Sequence, residues 1–76
     1  MTLDSVPSGH SVVLAALALP VTRVRRLAEL GLRRGQTVAV LGRTSGGGRL
    51  LGVGDARIAV DRTTLKAMTV TGRPAA

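Results

Sequence analysis

The stretch Thr22 to Gly35, TRVRRLAELGLRRG, constrains the fold more than any other part of the chain. Val24, Leu27, Ala28 and Gly31 recur at spacings of three and four, so they line one face of a helix. Arg23, Arg25, Arg26 and Glu29 fall mostly on the other face. Gly31 stands where a left-handed C′ residue ends a helix without a Cβ penalty. With Leu30 as C-cap, Leu32 is C″ and Leu27 is C3, the apolar pair expected to touch in a Schellman ending. At the other end, Pro20 is tolerated in a first turn and Thr22 is the predicted N-cap. Gly35 then lies just before a β-branched run. The stretch therefore sets where one helix stops and the next strand starts.

The rest of the chain reads as short strands. Met1 to Gly9 is expected to be a loosely held lead-in ending in the turn cluster Pro7-Ser8-Gly9. His10 to Leu19, HSVVLAALAL, is an apolar run whose periodicity does not decide between strand and buried helix. It is about half the length of a spanning helix. No Lys or Arg precedes it and Asp4 does, which argues against a secretory signal. Gln36 to Leu41 is a predicted strand with Val38 and Val40 on one face, and Gly42 to Gly48 is a predicted loop. Arg49 to Val53 and Ala56 to Val60 flank Gly54-Asp55, a glycine-first pair that predicts a type II′ hairpin. Asp61 is the predicted N-cap of a single turn, DRTTLK. Ala67 to Thr71 is a predicted last strand, and Gly72 to Ala76 a flexible tail. Close-spaced short strands with one inserted helix imply a mainly β fold, a small barrel that removes exposed sheet edges.

At 76 residues the chain is a single domain, 1–76, with its core over about 3–71. Its core is small and built only from Val, Leu, Ile, Ala and Met, because no Phe, Tyr, Trp or Cys is present. The net charge is +7, from ten arginines and one lysine against four acids. That balance fits either a solvated surface or an acidic partner.

Several chemistries are disfavoured. One histidine (His10) and four scattered carboxylates (Asp4, Glu29, Asp55, Asp61) give no ligand spacing for a tight metal site, which leaves at most a weak transition-metal site shared between chains. The same residues provide no nucleophile–base pair, so no enzyme and no cofactor is expected. Gly46-Gly47-Gly48 is followed by Arg-Leu, not Lys-Ser/Thr, and Gly52-Val53-Gly54 opens no helix. Both glycine runs read as loops and turns rather than phosphate cradles. Small barrels that bind nucleic acid stack bases on aromatic side chains, and this chain has none.

The order of segments resembles a known family. A first strand leads into RVRRLAELGLRRGQTVAVL, then a glycine-rich loop, a hairpin RLLGVGDARIAV and the ending DRTTLKAMTV. This is similar to the ferrous-iron-transport protein A (FeoA) family over about residues 3 to 71. The resemblance implies an SH3-like β-barrel of about five short strands with one short α-helix after the first. It implies that Ser11 to Leu17 is a strand. It also implies a cytosolic accessory protein that acts on the cytosolic GTPase region of a FeoB-type membrane transporter, meeting the membrane only through it. The segment before the helix is shorter here than is usual in the family, and the loop GRTSGGGR is richer in glycine. The candidate partner-binding residues are Arg23 and Arg26 on the helix, Arg33 and Arg34 at its exit, and Arg43 and Arg49 of the glycine-rich loop GRTSGGGR. Two other readings are carried by composition: a basic nucleic-acid-binding barrel, and a barrel that self-assembles into homo-oligomers.

Overall fold

The computed structural model describes residues 1–72, so residues 73–76 of the expected tail lie outside the described residues. A 3-10 turn, Leu3–Ser5, precedes strand β1 (Ser11–Leu17) and helix α1 (Val21–Glu29). Strand β2 (Thr37–Arg43) leads through the turn Ser45–Gly47 to β3 (Arg49–Val53) and β4 (Ala56–Val60). The short helix α2 (Arg62–Lys66) then delivers the chain into β5 (Met68–Thr71). All pairings are antiparallel, in the order β4-β3-β2-β1-β5.

The apolar run before α1 is a strand because alternation, not helical spacing, sorts its side chains. Val12 and Leu14 are buried and their neighbours are not. Val38 and Val40 face the same interior from β2, and Leu51 and Val53 face it from β3. Leu32, Val60, Leu65, Met68 and Val70 join the core, with Leu17, Leu27 and Ile58 packed against it. The β3–β4 hairpin turns through Gly54 at φ +58, and among the described residues no non-glycine residue has a positive φ. That sign pattern is the type II′ turn expected of Gly-Asp.

Four expectations need correction. The lead-in is not loose: Leu3 and Val6 are fully buried core residues, and Thr2 bridges to Thr69 beside β5. The Val70 N–H donates to the Met1 carbonyl at 2.9 Å, so the N-terminus straps the outer edge of β5. The N-cap of α1 is Pro20, not Thr22. The Pro20 carbonyl accepts from the Arg23 and Val24 N–H groups at 2.9 and 3.0 Å, which places Thr22 already inside the first turn. Strand β2 runs on through Gly42 to Arg43, because a bulge between Val40 and Gly42 lets pairing with β3 continue. Finally, β4 and β5 do not pair with each other. Helix α2 spans the gap between them with Thr64 and Leu65 buried, and among the described residues no strand pairs with the outer edge of β4.

The C-terminus of α1 follows the expected geometry. The Leu32 N–H donates to the Leu27 carbonyl at 2.9 Å and the Gly31 N–H to the Ala28 carbonyl at 3.0 Å. These are the two bonds of a Schellman ending, with Gly31 at φ +103. Leu32 is thereby turned down into the core.

Candidate interaction surfaces

Helix α1 supplies the first surface. None of its nine residues is fully buried; Val24, Leu27 and Ala28 are half-buried against the barrel. Val21 and Leu30 stay 72% and 49% exposed, which is high for aliphatic side chains at the two ends of one short helix. Between them Arg23, Arg26, Leu27 and Leu30 line a cleft of about 370 Å³. The surface is therefore aliphatic with a basic rim. Arg23 is also tied down: its guanidinium donates to the Thr64 hydroxyl at 2.8 Å, and that hydroxyl donates to the Asp61 carboxylate. This donation is the main cause that holds the Asp61 carboxyl below its usual pKa, against desolvation and with smaller help from backbone N–H groups and the Arg23 charge. Asp61 sits at the N-cap of α2, where its carboxylate accepts from the Thr64 hydroxyl.

The second surface lies at the end of the barrel where β2 meets β3. Arg43 and Arg49 are direct cross-strand partners, and Arg49 is only 9% exposed. Its guanidinium reaches back to the N-terminal segment, donating to the Val6 carbonyl at 2.8 Å and the Asp4 carbonyl at 2.9 Å. Arg43, Arg49 and Arg62 line a cavity of about 210 Å³ together with Asp4, Gly47 and Gly48.

A third, broad concavity of about 630 Å³ lies on the outer face of the sheet. It runs from Ala39 and Leu41 across Gly52 to Ala56 and Arg57, and Leu41 lies over Gly52.

The candidate arginines thus fall into separate groups. Arg23 and Arg26 share the α1 cleft, and Arg43 and Arg49 share the barrel-end cavity. Arg33 and Arg34 are exposed in the turn after α1 and line neither. Sequence reasoning missed Arg62, which reaches the second group only because α2 folds back over the loop. Its one local signal is its place next to Asp61 in the predicted turn. Among the described residues no three His, Cys, Asp or Glu side chains come together to hold a metal ion. Among them, too, no helix is long and apolar enough to cross a membrane.

Five antiparallel strands around an aliphatic core, one main helix after the first strand and a short helix before the last define a small SH3-like barrel. A family model for the FeoA domain matches residues 1–72, and the chain belongs to that family. Among solved structures, a FeoA of Stenotrophomonas maltophilia complexed with zinc is 32% identical, with a TM-score of 0.74 over 93% of this chain and 89% of that one. It is described as a prokaryotic SH3 domain protein and a candidate ferrous iron transport activating factor. The FeoA protein of Chlorobium tepidum is 25% identical, with a TM-score of 0.85 over 92% of this chain and 68% of that one. A manganese-dependent transcriptional repressor shares the fold at 18% identity, with a TM-score of 0.83 over 95% of this chain and 41% of that one. No curated protein sequence matches significantly.

Proposed function

We propose that this chain is a cytosolic accessory protein of ferrous iron uptake. It acts by docking onto the cytosolic GTPase region of a FeoB-type transporter. The observation that carries this reading is membership of the FeoA family across residues 1–72. The surface chemistry is consistent with recognition rather than catalysis. Exposed Val21 and Leu30 offer apolar contact, and Arg23 and Arg26 on the helix with Arg33 and Arg34 after it add charge for an acidic rim on the partner. Arg43 joins this set only if the partner also covers the barrel end, where Arg49 lies beneath it.

The test is a titration of this protein against that cytosolic region, with GDP and with a non-hydrolysable GTP analogue, at about 0.05 and 0.3 M salt. Saturable binding that weakens at the higher salt is expected. Charge reversal at Arg33 and Arg34 should weaken it by about tenfold, or about 1.4 kcal/mol, with the fold intact. Absence of binding in every nucleotide state would overturn the reading.

A second reading, self-assembly, has one observation in its favour: among the described residues the outer edge of β4 pairs with no strand. Light scattering over a range of concentrations tests it, and a strict monomer throughout would end it.

A further inference from the structure

The arginines of the barrel end are arranged in a way the core does not require. In β2 the alternation that puts Val38 and Val40 inward would put Gly42 inward and Arg43 outward. The bulge reverses this. Pairing steps from Val40↔Leu51 to Gly42↔Leu50 and Arg43↔Arg49. Arg43 is thereby brought to the same side of the sheet as Arg49, which continues the inward series of Leu51 and Val53. A bulge that re-aims one side chain is a designed feature of a sheet. Here it sets two like charges directly opposite each other, which is destabilising by itself.

A third cation joins them. A Cβ built on Gly47 would lie 3.1 Å from Arg62 Cδ, so the Arg62 stem rests on the glycine loop, and Arg62 lines the same cavity. Arg49 is nine-tenths buried, and its hydrogen bonds go to two neutral backbone carbonyls. Those bonds use two of its five N–H donors and leave its charge without a counter-charge, and a buried charge without a counter-charge is costly. The one carboxylate in the lining is Asp4, whose oxygen already accepts the Thr2 hydroxyl. Three arginines against one carboxylate in the lining leave the cavity electropositive.

We propose that this cavity binds a phosphate-type oxyanion. Guanidinium groups present planar forks that match phosphate oxygens, and several converging forks fix a tetrahedral anion better than point charges do. At about 210 Å³ the cavity falls below the range of pockets that enclose drug-sized ligands, so it takes a phosphate group rather than a whole nucleoside. The arginines carry the site. The glycines Gly47 and Gly48 serve to let Arg62 and the loop come close.

The same chemistry can arrive as free phosphate or as the terminal phosphate of a nucleotide. The experiment is an NMR titration of the isolated protein with inorganic phosphate, and separately with GDP, against sodium chloride at matched ionic strength. Saturable shifts are expected at Arg43, Gly47, Gly48, Arg62 and the Arg49 side-chain Nε. The double variant Arg43→Gln/Arg62→Gln should weaken binding at least tenfold. Both residues are exposed, so the fold should survive, and an unchanged spectrum elsewhere checks that. Tighter binding of GDP than of phosphate, lost in the double variant, supports the site with a nucleotide as source. Equal or weaker binding of GDP supports it with free phosphate as source. Shifts that do not saturate, that spread evenly over all arginines, or that persist in the double variant would overturn the proposal. No transporter is present in this test, so its outcome is separate from that of docking.

Discussion

Gly31 is the residue on which the exit of α1 turns. Its φ of +103 lies outside the range that L side chains adopt comfortably, and an added Cβ would meet Val53 Cγ1 at 3.2 Å. Gly31→Ala is therefore expected to destabilise the protein by about 1–2 kcal/mol, measured by urea unfolding. Gly35, at φ +85, has nothing within 4 Å of its would-be Cβ, so Gly35→Ala should show the conformational part alone. Equal losses at the two sites would mean that the contact with Val53 is relieved without cost. A second residue-scale prediction concerns Asp61. The Thr64 hydroxyl is the main cause that holds its carboxyl below the usual 3.8; desolvation opposes it, and backbone N–H groups of Thr64 and Asp61 and, least, the Arg23 charge add to the lowering. A carboxyl whose folded pKa is depressed stabilises the fold above its unfolded pKa and loses that contribution as pH falls through the folded value. The effect belongs below about pH 4, where unfolded Asp takes up its proton. Carboxyl NMR should place the Asp61 midpoint below 3.8, and Thr64→Val should move it back up; an unmoved midpoint would show that the hydroxyl is not the cause.

The elements held from far away behave differently from those set by local rules. The N-terminal segment packs Leu3 and Val6 into the core and straps β5 through Met1 and Thr2. Leu3→Ala should lose about 2–4 kcal/mol, the range for a buried leucine, against a total of roughly 4–11 kcal/mol for a domain of this length. A loss under about 0.5 kcal/mol, as at a surface site, would mean that the segment is not part of the core. At the opposite edge, the two-residue hairpin makes Val53 and Ala56 a hydrogen-bonded pair, so Ile58 and Val60 also point their N–H groups at β3. Arg57 and Ala59 point theirs outward. Amide exchange should thus alternate along β4, fast at Arg57 and Ala59 and slow at Ile58 and Val60. Uniform slow exchange would reveal a pairing partner on that edge. The helix exit, the hairpin and the alternation of β2 were legible in the sequence because each obeys a rule spanning a few residues, whereas the periodicity of the β1 run left strand and helix open. The burial of Leu3 and Val6 was not, because two apolar residues among Ser, Pro and Gly carry no period, and their partners lie at the far end of the chain. The β2 bulge was equally hidden: Gly42 looks like the end of a strand, and only pairing with β3 shows that the strand continues to Arg43. That same bulge kept the site half-legible, since charge picked out Arg43 and Arg49 but could not show that they face each other beside Arg62.

Across the whole molecule, charge is the least balanced quantity. Eleven cations and four acids are carried on a body with a Cα radius of gyration of 11.0 Å. The arginine hydrogen bonds among the described residues go to a hydroxyl and to backbone carbonyls, not to carboxylates. Most of the positive charge is therefore uncompensated in the folded state and closer together than in the unfolded chain, so self-repulsion opposes folding. Salt shortens the reach of that repulsion, from roughly 14 Å at about 0.05 M to below 5 Å at about 0.5 M sodium chloride. The melting temperature should accordingly rise with salt. Relief of about 1 kcal/mol would appear as an increase of about 4–8 °C in a domain of this size. Neutralising Arg25 and Arg57, both exposed and outside the barrel-end cavity, should raise the melting temperature at low salt and flatten its salt dependence. A melting temperature that falls with salt would mean that the few carboxylates form ion pairs worth more than the repulsion. In that case the positive charge could not be treated as free to meet a partner.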